Sequence, residues 1–193
     1  MSTVIIKYNA GNIQSVLFAL ERIGAAATVT DDVMLIQQAD RVIFPGVGEA
    51  SSAMRYLRER GLDEIIRGLQ QPVLGICLGM QLMCSHSEEA DTGCMGIFDT
   101  PVRKFDQGLK VPQVGWNTIS ETGSALFAGL TSDPYCYFVH SYYAAVCDDT
   151  IAVTDYGIKF SSALRKDNFY GVQFHPEKSA ATGEQILKNF LAI

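Results

Sequence analysis

No stretch of this sequence approaches the ~18 consecutive apolar residues of a membrane-spanning helix. The opening segment MSTVIIKYNAGN has an apolar run of only three residues before Lys7, too short for a secretory leader. Positive charge is scarce as well: 15 Lys and Arg stand against 21 Asp and Glu, a net charge of −6. That balance gives no reason to expect nucleic acid or a membrane surface as partner, a local basic patch aside. Cysteine is present without a pairing pattern. Cys77, Cys84, Cys94, Cys136 and Cys147 are odd in number, contain no Cys-x-x-Cys and show no zinc spacing. Free thiols in a reducing, cytoplasmic compartment are therefore expected, and no metal site. Histidine is confined to His86, His140 and His175, so few side chains can carry protons near neutral pH. Linkers, repeats and low-complexity segments are missing too. With 193 residues, 48% of them apolar, one domain spanning 1–193 is expected.

What is present alternates. Residues 3–7, 26–29, 41–44 and 72–76 read as short β-rich runs. Residues 13–23 place Ile13, Val16, Leu17, Leu20 and Ile23 on one helical face before Gly24. Residues 50–60 read as a helix stopped by Gly61, 62–69 as a second helical piece, and 78–84 as the start of another. Thr30-Asp31-Asp32 and Leu35-Ile36 read as connection between the second and third strands. From Gly96 onward IFDTPVRKF, CYFVHSYYAAV, TIAVTDYG, IKFSSALRK and NFYGVQF are turn-bounded β-type runs, and residues 182–191 form a closing helix. This order predicts an α/β fold: an open, mostly parallel central sheet flanked by helices, with antiparallel strands added at an edge in the C-terminal half.

The segment VLGICLGMQLMC, residues 73–84, sets Cys77 between Gly75 and Gly79 where an apolar strand runs into a helix. A strand–nucleophile–helix elbow crowds the positions two before and two after the nucleophile, and glycine relieves that crowding. Such a turn lifts the thiol to a helix N-terminus, whose dipole favours thiolate, and lets the Leu78 N–H face a developing oxyanion. A buried cysteine beside a glycine-rich bend is the alternative for the same pattern. Cys84, Cys94, Cys136 and Cys147 lack the frame and read as structural. A thiolate needs a proton carrier. His86 lies in the acidic loop SHSEEADTG, whereas His175 follows the apolar strand 171–174 in GVQFHPEKS. Glu177, two residues on across the stiff Pro176, can orient its imidazole, although His-x-Glu alone is a common surface pattern. FPGVGEA, residues 44–50, turns through Pro45, Gly46 and Gly48 and can present backbone N–H groups to an anion; by itself it reads as a turn.

GICLGMQ together with FHPE resembles the signature of the class I (triad) glutamine amidotransferases. FPGVG, PQVGWN (112–117), YFVHSY (137–142) and DNFYGVQFHPEKS (167–179) extend the likeness over essentially the whole chain. They are similar to the branch of that family that serves histidine biosynthesis. The resemblance implies that Cys77 attacks the side-chain carboxamide of glutamine. It further implies that His175, oriented by Glu177, passes the proton to departing ammonia, and that water hydrolyses the glutamyl thioester. An oxyanion hole is implied from the Leu78 N–H and the Gly46–Val47 peptide, its second donor misdirected until partner and ligand bind. Gly48, Gln81, Ser141 and Tyr142 match positions that hold the substrate. The implied partner is a cyclase subunit, a (β/α)8 barrel, which takes up ammonia across a closed interface holding Asn12, Trp116 and Lys178. Outside the resemblance these three read as a turn asparagine, a half-buried aromatic and a solvated lysine. No metal or organic cofactor is implied. The first loop, KYNAGN, departs from the family: Lys7 stands where many relatives carry an acid, and Asn9 where they carry glycine.

Two other functions fit parts of the pattern. A glutaminase serving anthranilate or guanylate synthesis shares the chemistry with a different partner; PQVGWN and YFVHSYY weigh against it. A non-catalytic α/β protein with a redox-sensing elbow cysteine leaves His175 and Glu177 without work.

Overall fold

A computed structural model describes residues 1–9, 11–105, 108–120 and 122–193; Ala10 of the first loop lies outside them. Strands and helices alternate through the first half. They run β1 (Thr3–Ile6), α1 (Ile13–Arg22), β2 (Thr28–Thr30), α2 (Val33–Gln38), β3 (Arg41–Gly46), α3 (Ala50–Glu59), α4 (Leu62–Arg67), β4 (Val73–Cys77) and α5 (Leu78–Met83). The second half begins with β5 (His86–Ser87), β6 (Thr92–Gly93), β7 (Pro101–Lys104), β8 (Gln113–Thr118) and β9 (Tyr135–His140). It ends with β10 (Tyr142–Ala144), β11 (Thr150–Asp155), β12 (Lys159–Lys166), β13 (Phe169–Val172) and α6 (Ala180–Ala192).

Register explains why the sheet is covered on both sides. Val4, Val42, Val73 and Phe169 align across neighbouring strands and join one apolar cluster, while Ile5, Ile43, Leu74 and Tyr170 align one residue on and join the other. All eight are buried, as parallel strands between two helical layers require. α1 and α6 cover the second face with Val16, Leu20, Ile186, Leu187 and Phe190. α2, α3, α4 and α5 cover the first with Ile36, Met54, Leu57, Ile66 and Met80. Each such side chain fully buried contributes about 1.5–3 kcal/mol.

The main sheet runs β2-β1-β3-β4-β13-β12-β10-β7-β5-β6, with β11 beside β12. β2, β1, β3, β4 and β13 are mutually parallel, and the chain turns antiparallel from β12 outward to β7. The predicted sheet is thus present, with β13 rejoining it beside β4. Two details differ. Residues 33–38 form α2 where the sequence reads as connection: the Asp32 carboxylate accepts the Met34 and Leu35 N–H groups at 2.8 and 3.1 Å, capping a helix too short to show periodicity. β8 and β9 form a separate two-stranded ribbon rather than extending the main sheet. Among the described residues no helix is long and apolar enough to cross a membrane.

α5 packs directly against the end of β3. A Cβ on Gly79 would lie 1.9 Å from the Phe44 carbonyl oxygen, and one on Gly75 would lie 2.9 Å from the Met80 nitrogen. Both obstacles are backbone, which cannot rotate away as a side-chain tip does. Gly79→Ala should therefore cost at least about 1–3 kcal/mol, seen as a lowered urea midpoint at unchanged slope. An unaltered midpoint would mean that the strand–helix approach tolerates a methyl group.

Candidate active site

The carboxyl ends of β1, β3, β4 and β13 lie side by side, the edge where open α/β sheets place ligands. Register puts Gly46 beside Cys77 and Val172 beside Ile76, so His175 emerges three residues past the end of β13. Cys77 closes β4 and precedes α5 with φ 53° and ψ −109°. For a residue with a Cβ, that conformation costs about 1–3 kcal/mol. Its effect is to turn the side chain out of the strand sequence, and the residue stays 6% exposed.

The three predicted catalytic side chains meet there. His175 Nδ1 is 2.7 Å from Glu177 Oε1, and Cys77 is the other side chain that acts on the imidazole. Burial pushes the imidazolium down, but the hydrogen bonds and charges of Cys77 and Glu177 outweigh it and raise the His175 pKa to about 10. That balance favours the imidazolium over the neutral ring. The His175 backbone is fixed as well: its N–H donates to the Tyr137 carbonyl at 2.9 Å, and its carbonyl accepts the Ser179 hydroxyl at 2.6 Å.

Asn12, predicted as an interface residue, reaches the same cluster. Its Nδ2 donates to Glu177 Oε1 and lies 3.4 Å from His175 Nδ1. Asn12 precedes α1 in the left-handed region, φ 77°, and its side chain does not cap the helix; the amide is committed to Glu177 instead. The departing first loop is anchored elsewhere, Asn9 Nδ2 donating to the Ser52 carbonyl at 3.2 Å.

A cavity of about 340 Å³ opens over the sulfur, within the range of small-molecule sites. Val47, Gly48, Leu78, Gln81, Ser141 and Tyr142, all anticipated from the sequence, line it. Gly46 sits behind this wall, so close to Tyr8 that a Cβ would lie 2.2 Å from its hydroxyl. Leu78 is the first residue of α5, and its N–H has no acceptor within that helix. With six residues α5 supplies unpaired N–H groups rather than a long dipole. Gly48 adopts φ 121°, a conformation that favours glycine. Lys178 stands exposed at the rim. Trp116 is 51% exposed on β8, edge-on to Tyr137 at 5.9 Å.

Sequence reasoning missed Glu89 and His140, which also line the cavity. The Glu89 carboxylate accepts the Ala50 N–H at 2.8 Å, and burial raises its pKa. His140 donates from Nδ1 to the Tyr142 carbonyl at 2.7 Å, and burial lowers its pKa to about 4, so it is neutral. Gln81 spends its amide nitrogen on the Tyr142 carbonyl and Gln173 Oε1, both at 2.9 Å, and keeps Oε1 as its remaining polar atom. Burial pushes the Cys84 thiol well up, Cys94 to about 11 and Cys136 to about 12. His86 pairs with Asp91 at 2.9 Å, away from the site.

Residues 4–193 match the family Glutamine amidotransferase class-I, and the chain belongs to it. It is 57% identical over 194 residues to the imidazole glycerol phosphate synthase subunit HisH of Bacteroides thetaiotaomicron, covering 99% of each chain. To the protein of the same name from Bacteroides fragilis it is 58% identical over 196 residues, covering 100% of each. The fold superposes on a crystal structure of a glutamine amidotransferase with a TM-score of 0.77 at 17% identity, covering 100% of this chain and 98% of that one. PurLQS from Thermotoga maritima superposes with a TM-score of 0.73 at 15% identity, covering 99% and 97%.

Because burial raises the Cys84, Cys94 and Cys136 thiols, limiting iodoacetamide at pH 7.5 should label Cys77 ahead of these three. His175→Ala removes the cation beside the sulfur and should slow that labelling about tenfold or more, as read by peptide mass spectrometry. Equal labelling of Cys77 in the two proteins would contradict the sulfur–imidazolium contact.

Proposed function

We propose that the chain hydrolyses glutamine to glutamate and ammonia through Cys77, His175 and Glu177. The ammonia then passes to the cyclase subunit of an imidazole glycerol phosphate synthase in histidine biosynthesis. The observation that carries the chemistry is a buried imidazole held between the Cys77 sulfur and the Glu177 carboxylate beneath a small cavity. The partner rests on full-length similarity to the HisH subunits.

In this mechanism the Cys77 sulfur attacks the carboxamide carbon, forming an S–C bond as the C=O electron pair moves to oxygen. The Leu78 N–H and the Gly46–Val47 peptide receive that oxyanion. Collapse breaks the C–N bond, and His175 Nε2–H gives its proton to the leaving nitrogen, releasing ammonia and leaving a glutamyl thioester. Water then attacks the thioester carbon while the neutral imidazole takes its proton. Loss of the sulfur as thiolate yields glutamate and restores the imidazolium. Glu177 stabilises the cation in both half-reactions, and Asn12 steadies Glu177. The α-ammonium of glutamine is matched by two acceptors on the cavity wall, the Glu89 carboxylate and Gln81 Oε1; Gly48, Ser141 and Tyr142 meet its remaining polar groups.

Ammonia released into water becomes unreactive ammonium, so a closed junction with the cyclase suits the chemistry. The β8–β9 ribbon offers one. Val114, Trp116 and Tyr135 are 58, 51 and 57% exposed, and cross-strand register puts them on one face with Val139 of the cavity wall. A (β/α)8-barrel cyclase docked on that face, with Lys178 and the Asn12 loop at the junction, would receive ammonia directly as one half of a heterodimer. Neither nucleic acid, membrane nor cofactor enters this scheme, and the compartment is cytoplasmic.

The test is glutamate release by the chain alone, with the cyclase, and with the cyclase plus its nucleotide ligand. Weak release alone and strong release in the full mixture are expected, with His175→Ala inactive throughout and still folded. Equal release in all three mixtures would assign the glutaminase to another synthase. No release with Cys77 intact would leave the chain non-catalytic.

A further inference from the structure

Gln173 follows β13 between Val172 and Phe174 and is fully buried, where an amide persists only if its polar atoms are matched. Its partners fix its orientation. The Gln81 side-chain nitrogen donates to the Tyr142 carbonyl and to Gln173 Oε1, both at 2.9 Å. Because the Tyr142 carbonyl can only accept, Gln81 must present its nitrogen there, and the second hydrogen of that nitrogen sets the oxygen of Gln173 toward it. Gln173 Nε2 therefore faces the other way, where it donates to Cys77 Sγ at 3.7 Å. The Gln173 N–H bonds the Ser162 carbonyl at 2.9 Å, which pins the residue to β12.

We propose that Gln173 is a built-in hydrogen-bond donor to the nucleophile, holding the Cys77 sulfur as an anion and tying it through Gln81 to the substrate wall. This deepens the glutaminase scheme and rests on it only for its effect on turnover. Hydrogen bonds to ionised groups are roughly twice as strong as neutral ones. The environment is arranged as a competition. The Val139 carbonyl, 3.8 Å from Sγ, accepts the S–H of the thiol and offers the thiolate nothing, whereas Gln173 and His175 favour the anion. The titratable groups around the sulfur are Tyr8 from the loop after β1, His175 with Glu177 behind it, and His140, Glu89, Tyr142 and Lys178 around the cavity. The Gln173 amide is uncharged, so its contribution persists at every pH.

Alkylation of Cys77 by iodoacetamide as a function of pH needs no turnover and so tests this independently of the glutaminase scheme. Gln173→Leu, apolar and close in size, should raise the pH midpoint of alkylation by about one unit or more. It should also lower kcat for glutamine about 10- to 100-fold with KM kept within about threefold. Gln173→Glu fills the same space and keeps an acceptor for Gln81, but replaces the donor with an acceptor, and should raise the midpoint at least as far. A purely structural role would lower stability in both variants and leave the midpoint in place. An unchanged midpoint in either folded variant overturns the proposal. Should Gln173→Leu fail to fold, Gln173→Glu decides. In the unsubstituted chain the Gln173 Nε2 resonance should shift across the same pH midpoint, and a constant resonance also overturns the proposal. A moved midpoint with no turnover by the unsubstituted chain would uphold the donor and remove the glutaminase scheme.

Discussion

The site depends on one strained residue. Cys77 sits at φ 53° and ψ −109°, a conformation costing about 1–3 kcal/mol in a domain whose whole stability is of the order of 5–15 kcal/mol. It persists because the elements on either side are over-determined. β4 is paired in parallel on both edges, to β3 and β13, and α5 is pressed against the Phe44 carbonyl through a bare Gly79. Relaxing the cysteine would require moving the centre of the sheet or lifting a helix from it. The strain is thus held by the core, and the sulfur is left pointing into a cavity.

Charge is the second constraint. A buried imidazolium is costly unless it is paired on more than one side, and His175 is paired with both a sulfur and a carboxylate. That carboxylate is itself bonded by Asn12, and the His175 main chain is held by Tyr137 and Ser179. Cys77 closes β4, while Asn12, His175 and Glu177 lie in the segments that follow β1 and β13. The parallel order of the strands brings those segments to one edge of the sheet.

Much of this was legible in the sequence where the signal is local. Glycines two residues either side of Cys77 report a close strand–helix approach, and an apolar strand ending at His175 reports delivery to the sheet edge. The alternating apolar runs gave the parallel sheet for the same reason. What was not legible depends on long-range placement. Asn12 meets Glu177 across 165 positions, and no local pattern distinguishes that asparagine from one in a plain turn. Glu89 comes from a segment that reads as a solvated acidic loop and is drawn to the cavity by its bond to the start of α3. Gln173 sits in an apolar strand pattern where nothing marks its amide as facing a sulfur. α2 escaped because six residues cannot display a helical period; its one local sign was the capping Asp32.

The central claim is that His175 is a cation at neutral pH because the Cys77 sulfur and the Glu177 carboxylate hold its proton. Nitrogen-15 NMR of histidine-labelled protein, titrated from pH 6 to 11, measures that proton directly. The account predicts imidazolium shifts for His175 that persist until close to pH 10. In Cys77→Ala, where one of the two groups that raise the His175 pKa is gone, the proton should be lost at distinctly lower pH. A neutral His175 at pH 7 in the unsubstituted chain, or a titration unmoved by Cys77→Ala, would contradict it.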